Sequence, residues 1–275
     1  MTIPFPHISQ VAIAIGPLQL RWYGLMYAAG YTLGYFLARR RIDTGRSPIG
    51  LVALDRLIGY LVVGMLIGAR LTYVFVYDPA GYAAHPLAVF ALWQGGLSFH
   101  GAIIGMAAAC ALFARRGKVA LLDITDLVAL GGAPGLFFGR VGNFINAELY
   151  GRPTTVPWAM VFPTDPLGVP RHPSQLYEAL GEGALLGVAL WFLDAVARKR
   201  GVYRRGFDTA LFLIGYGVIR FLIEFTRQPD AQLGFVLGRF SMGQLLSAMM
   251  IAVGALLLIV ASRAGPNEPP RLETQ

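Results

Sequence analysis

The chain has 275 residues, 56% of them hydrophobic and only 14% charged, where a soluble domain carries about 25% charged residues. Mean hydropathy is +0.57, and the formal net charge of +8 comes with a sequence pI near 9.9. A disordered chain, a nucleic-acid-binding domain and an ordinary soluble enzyme are excluded, because the basic residues form short clusters between long apolar runs. One cysteine, Cys110, leaves no disulfide within the chain and no Cys-based metal site.

The chain begins with a short hairpin. Apolar alternation over Val11–Ile15 and Leu18–Leu20, split by Gly16 and Pro17, predicts two strands lying on the outer membrane surface. The same interruption, with no basic stretch before it, argues against a signal peptide.

Seven segments approach the ~20 apolar residues that a spanning helix needs. They are Tyr23–Ala38, Leu51–Val76, Leu97–Ala114, Leu121–Phe138, Leu176–Ala197, Phe207–Phe225 and Ser241–Ser262. The prediction is an all-α polytopic membrane protein: a single seven-helix domain over 1–262, then a disordered tail over 263–275. Of the 23 Lys and Arg, 14 lie in the tail and in the connections around Arg39–Arg46, Arg115–Lys118 and Arg198–Arg205. Six lie on the opposite side, and Arg56, Arg70 and Arg220 fall inside apolar segments. The positive-inside rule then makes the first face cytoplasmic and the N-terminus external. The connections on the outer face are short.

Within the first span, Tyr23 and Tyr27 stand a turn apart, either in an aromatic belt or lining a cavity. Glycines recur four apart at Gly30 and Gly34, Gly64 and Gly68, Gly101 and Gly105, and Gly183 and Gly187, a spacing that lets helices pack closely. Arg56 and Arg70 of the second span are expected to snorkel or pair. His100, at the outer end of the third span, has an imidazole suited to accept a proton at neutral pH, although a lone histidine often serves structure alone. Cys110, deeper in that span, is expected to pack. Gly131, Gly132, Pro134 and Gly135 break the fourth span, which predicts irregular backbone near membrane depth.

The run from Gly139 to Arg152 follows. If it is helical, Arg140, Asn143 and Asn146 recur every three residues on one face. Arginine can grip a phosphate with paired donors, and asparagine can orient hydroxyls or carbonyls. The plainer alternative is a re-entrant turn whose polar groups only satisfy backbone. In the sixth span Tyr216, Arg220, Glu224 and Arg227 form a polar stripe on an apolar helix. Here an Arg220–Glu224 pair fixing register and an intramembrane functional site both stand as readings. His7, His85 and His172 show no metal-ligand spacing, and neither a zinc motif, a nucleophile elbow nor a P-loop is present.

Together, Arg21–Tyr27, Leu97–Gly101, Gly139–Arg152, His172–Glu178, Glu224–Asp230 and Ser241–Gln244 resemble the bacterial phosphatidylglycerol–prolipoprotein diacylglyceryl transferases, in family order across nearly the whole chain. The resemblance implies transfer of a diacylglyceryl group from phosphatidylglycerol to the lipobox cysteine in the signal peptide of a preprolipoprotein. A thioether forms and glycerol phosphate leaves, with no metal, cofactor or nucleic acid implied. It implies a multi-pass protein of the inner membrane, its site on the periplasmic side among membrane lipid. His100, Arg140 and Arg220 are the implied catalytic residues. Tyr23, Arg140, Asn143, Asn146, Glu148, Gly151, Tyr216, Glu224 and Arg227 are expected to bind substrate, with Glu148 or Glu224 orienting an arginine. Two other classes compete. A lipid or anion transporter needs a polar path to both faces, and a sensor or scaffold leaves the Arg–Asn–Asn–Glu cluster without a purpose.

Overall fold

A computed structural model describes residues 2–6, 8–16, 18–228, 235–237 and 240–263. The predicted tail and His7 lie outside them. Three short two-stranded sheets accompany the helices. The strands are β1 (Ile3–Pro4), β2 (Val11–Ile15), β3 (Leu18–Arg21), β4 (Met160–Val161), β5 (Phe235–Leu237) and β6 (Phe240–Ser241). The predicted hairpin is present: β2 pairs antiparallel with β3, Ile15 opposite Leu18, across a Gly16 in the left-handed region. β1 runs parallel to β4, and β5 antiparallel to β6.

The helices are α1 (Trp22–Asp43), α2 (Leu51–Thr72), α3 (Pro79–Ala84), α4 (Phe99–Gly117), α5 (Leu121–Ile145), α6 (Ser174–Glu178), α7 (Leu186–Lys199), α8 (Phe207–Ile223) and α9 (Met242–Arg263). A π-helical segment, Tyr73–Tyr77, prolongs α2, and another, Ala179–Leu185, joins α6 to α7 without a break. A helix thus occupies each of the seven predicted segments. Four stretches are long and apolar enough to cross a membrane: Leu51–Tyr77, Leu121–Ile145, Ser174–Lys199 and Met242–Arg263. The other three fall short for visible reasons. α1 is rich in tyrosine and glycine, α4 ends on Arg115 and Arg116, and α8 has 17 residues.

The fourth span is not broken. α5 is continuous for 25 residues, with Pro134 inside it. Proline forfeits one backbone hydrogen bond, whereas leaving the helix in an apolar medium would forfeit several. The glycines serve close contact instead. A Cβ on Gly30 would lie 3.0 Å from the Gly135 Cα, and one on Gly34 would collide with the Gly131 carbonyl. Irregular backbone begins only at Asn146, beyond the helix.

The fold divides into two compact units, one holding the described residues up to 38 and from 126 onward, the other residues 39–125. In the smaller unit α2 and α4 cross at glycines. A Cβ on Gly64 would sit 2.6 Å from the Gly105 carbonyl oxygen, and one on Gly68 would strike that of Gly101. Cys110 is buried beside this crossing, as a packing residue. In the larger unit Gly183 meets the Phe137 backbone, so the segment joining α6 to α7 lies directly on α5. Asp126, fully buried, accepts from the backbone N–H groups of Gly206 and Thr209 at 2.8 Å and so caps the start of α8. Residues 146–173 form a cap of their own around buried Phe162, packed with Phe5, Phe144 and Tyr150.

Candidate active site

Because α5 runs unbroken to Ile145, Arg140 and Asn143 share one face, and Arg140 Nη1 donates to Asn143 Oδ1 at 3.4 Å. The Asn143 amide donates in turn to Glu148 Oε1 at 2.8 Å, and that of Asn146 to the same oxygen at 3.3 Å. The run therefore folds back on itself after the helix. Among the described residues Glu148 contacts the two asparagines, because the turn after Ile145 aims its side chain back at their amides. Of the two carboxylates expected to orient an arginine, Glu224 is the one beside Arg220.

α8 ends at Ile223, so of the expected stripe Tyr216 and Arg220 are on the helix, Glu224 caps it and Arg227 lies beyond. Arg220, Glu224 and Arg227 nonetheless face the same place. Arg220 Nη2 lies 3.1 Å from Glu224 Oε2, so the expected internal pair forms. It is only the edge of a larger cluster. Glu178 receives Arg140 Nε at 2.8 Å and Arg220 Nη1 at 3.0 Å on Oε2, and Arg227 Nη1 at 2.6 Å on Oε1. Three guanidiniums, one from α5 and two from α8 and the turn after it, thus meet on one carboxylate that is 0% exposed, while their own side chains remain 18%, 14% and 12% exposed. The anion is therefore sealed, while the side chains of the three cations keep part of their surface accessible. Charge-assisted bonds from three directions offset the cost of burying Glu178.

Glu178 was missed as a site residue, although it ends the His172–Glu178 motif. The available signal was an acidic residue inside an apolar segment, which Glu178 and Glu182 both provide. The π-helical segment after Glu178 has no marker in the sequence, and such turns are frequent at functional sites.

The remaining expected residues are placed as follows. Tyr23 and Tyr27 have their hydroxyls 3.1 Å apart, and a Cβ on Gly142 would lie 2.9 Å from the Tyr23 ring. Gly142 therefore makes room for that ring beside Asn143. Gly151 acts through backbone: its N–H donates to the His172 carbonyl at 2.9 Å, and it bridges antiparallel to Arg227. A Cβ there would strike the Thr226 carbonyl, so only glycine lets the cap run this close to Arg227. Arg152 strengthens that seam, its Nε donating to the Arg227 carbonyl at 2.5 Å. Tyr216 stacks on Phe212 against Leu130, Leu186 and Leu190. Glu224 also accepts from Ser241 Oγ at 2.9 Å, which ties it to the start of α9. His100 belongs to the other compact unit, in the first turn of α4, its ring edge-on to Phe99.

The cap is held by a buried pair. Arg171 donates to Asp165 from Nε at 2.7 Å and Nη2 at 2.9 Å. These bonds hold the Asp165 carboxyl below the usual carboxylate range against the opposite push of burial, and raise Arg171 in return. Burial pushes the His172 imidazole down, so it is neutral at pH 7.

Fold and site together define a membrane protein of apolar helices that carries a ring of arginines fit to grip an anionic group beside oriented amides. A family model described as prolipoprotein diacylglyceryl transferase matches residues 10–260, and the chain belongs to that family. Proteins named phosphatidylglycerol–prolipoprotein diacylglyceryl transferase are similar along almost their whole length. One from Bordetella bronchiseptica is 48% identical over 262 residues, covering 95% of this chain and 98% of the relative. One from Methylocella silvestris is 48% identical over 267 residues, covering 95% and 96%. One from Nitratidesulfovibrio vulgaris is 47% identical over 258 residues, covering 94% and 95%.

Proposed function

We propose that this chain transfers the diacylglyceryl group of phosphatidylglycerol to the lipobox cysteine in the signal peptide of preprolipoproteins. The products are a thioether and glycerol phosphate, and the step opens lipoprotein maturation. The observation that carries the reading is the set of three arginines gathered on a sealed Glu178 while their own side chains stay partly accessible. A phosphodiester is a monoanion with two free oxygens, which suits paired guanidinium donors.

In the reaction the thiol sulfur attacks the glyceryl carbon, the carbon–oxygen bond breaks, and its electrons pass to the phosphate oxygen. Arg140 and Arg220 stabilise the charge that grows there, while Arg227 contributes to headgroup binding. Asn143 and Asn146, oriented by Glu148, position the headgroup, and Glu224 holds Arg220. Tyr23, Gly151 and Tyr216 shape the ground on which it rests. The thiol, with a reference pKa of about 8.5, needs a base or a nearby cation. His100, whose imidazole can accept a proton at neutral pH, is the candidate base.

The seven helical segments are read as the spans of one domain over 1–262 in the inner membrane, supported by a family match that runs through both compact units. The distribution of Lys and Arg supports an external N-terminus and a periplasmic-side site among membrane lipid. The test incubates purified protein with phosphatidylglycerol labelled in its diacylglyceryl group and a lipobox peptide. Label in thioether linkage to cysteine is expected. Label confined to lipid, or attached through an ester, overturns the reading.

A further inference from the structure

Glu182 is the one acidic residue of the cluster that the mechanism above does not use. It lies in the π-helical segment one turn past Glu178, and it is 0% exposed. Neither of its carboxylate oxygens has a hydrogen-bond partner among the described residues. Among the described residues its one ion-pair contact is Arg220 Nη1, at 3.6 Å, a nitrogen that Glu178 Oε2 already holds at 3.0 Å. The charged groups around it are Glu178 on its own stretch, Arg140 from α5, Arg220 from α8 and Arg227 just beyond α8. The Tyr216 hydroxyl of α8 is also within electrostatic reach, and Glu224 holds the far side of Arg220. A buried carboxylate with no hydrogen bond, next to a second carboxylate and sharing that neighbour's cation, is costly as an anion and cheap as a neutral acid.

We propose that Glu182 carries a proton and sets the charge of the arginine cluster, leaving Arg140, Arg220 and Arg227 one positive charge in excess of Glu178 and Glu224. This rests on the headgroup reading given above. That excess equals the single negative charge of a phosphodiester. Just outside, Glu148 and Arg152 add one charge of each sign. With Glu182 ionised the inner cluster would be neutral, and a phosphodiester would enter a site with no net attraction for it. Glu182 is thus a positioning residue that acts through Arg220.

The test uses full-length protein in nanodiscs, with phosphatidylglycerol presented in phosphatidylcholine vesicles. Infrared spectra of the wild type should contain a protonated-carboxyl carbonyl band that Glu182→Gln removes. The KM for phosphatidylglycerol should rise about tenfold toward alkaline pH in the wild type and stay level in Glu182→Gln, with kcat following neither trend. A wild-type spectrum with no protonated-carboxyl band overturns the proposal whether or not the variant folds. So does a band that survives Glu182→Gln, a level wild-type KM, or the same alkaline rise in both proteins. Should Glu182→Gln fail to accumulate, Glu182→Asp replaces it, and the band should then shift in frequency; an unmoved band overturns the assignment. Wild type that transfers no diacylglyceryl group removes the headgroup reading alone, since the infrared arm needs no turnover.

Discussion

Two regions of this molecule use arginine in opposite ways. Arg70, at the end of α2, donates Nε to Val89, Nη1 to Gly95 and Gly96, and Nη2 to Ala88 and Ala91, all through backbone carbonyls. A guanidinium has five N–H donors, and here five carbonyls take them. It is buried, 4% exposed, and among the described residues it meets no carboxylate; the loop after α2 folds around it. In the other region Arg140, Arg220 and Arg227 converge on Glu178, and their side chains stay partly accessible. Charge inside an apolar segment does not by itself mark a site. A saturated arginine builds structure, and an unsaturated one can take a ligand.

Changes that keep charge but alter geometry should break that contrast most sharply. Arg140→Lys retains the cation and loses the planar fork, so transfer should fall by about a hundredfold or more at equal protein level. His100→Gln should cost about a hundredfold if the imidazole takes the thiol proton. The rate-against-pH profile at low peptide concentration should then lose its acid limb. Glu178→Gln removes the carboxylate on which three guanidiniums meet, and kcat should fall about tenfold or more as they lose alignment. Arg70→Met should do the reverse. It orphans carbonyls at about 1–3 kcal/mol each, so thermal unfolding should come markedly earlier while transfer per folded molecule stays within about twofold.

The smallest effect concerns the cap. The Asp165 carboxyl titrates lower folded than unfolded, so its contribution is complete above the unfolded value of about 3.9. It is lost only as pH falls through the folded value. Hydrogen exchange in residues 146–173 should therefore be unchanged at mildly acidic pH and accelerate under strongly acidic conditions, a dependence that Asp165→Asn abolishes.

Much of this was legible in the sequence, because helical periodicity and charge placement are local. The segments, the hairpin, the shared face of Arg140 and Asn143 and the turn-by-turn placement of Tyr216, Arg220 and Glu224 follow from spacing, whereas Arg227 is placed by its bridge to Gly151. The convergence on Glu178 does not, since its three cations come from other stretches of chain and only the fold unites them. The π-helical segment that carries Glu182 also lacks a local signal. α5 was misread because Gly131, Pro134 and Gly135 are helix breakers in water, whereas between apolar helices the glycines allow contact and the helix persists.

The meeting point at Glu178 also constrains how the protein is made. A ribosome delivers α5 before the stretch from α6 to α7, and α8 last. Arg140, near the C-terminal end of α5, therefore enters the bilayer with no carboxylate to meet, at a cost below the ~2.5–3.5 kcal/mol of a lone charge at a helix centre. Glu178 and Glu182 then arrive with one cation between them until Arg220 and Arg227 emerge. These helices cannot settle into lipid one by one at low cost. They must be held together near the insertion machinery until α8 has been synthesised, and a chain interrupted before Arg220 would be left with an excess of buried acid, a defect that membrane quality control could recognise.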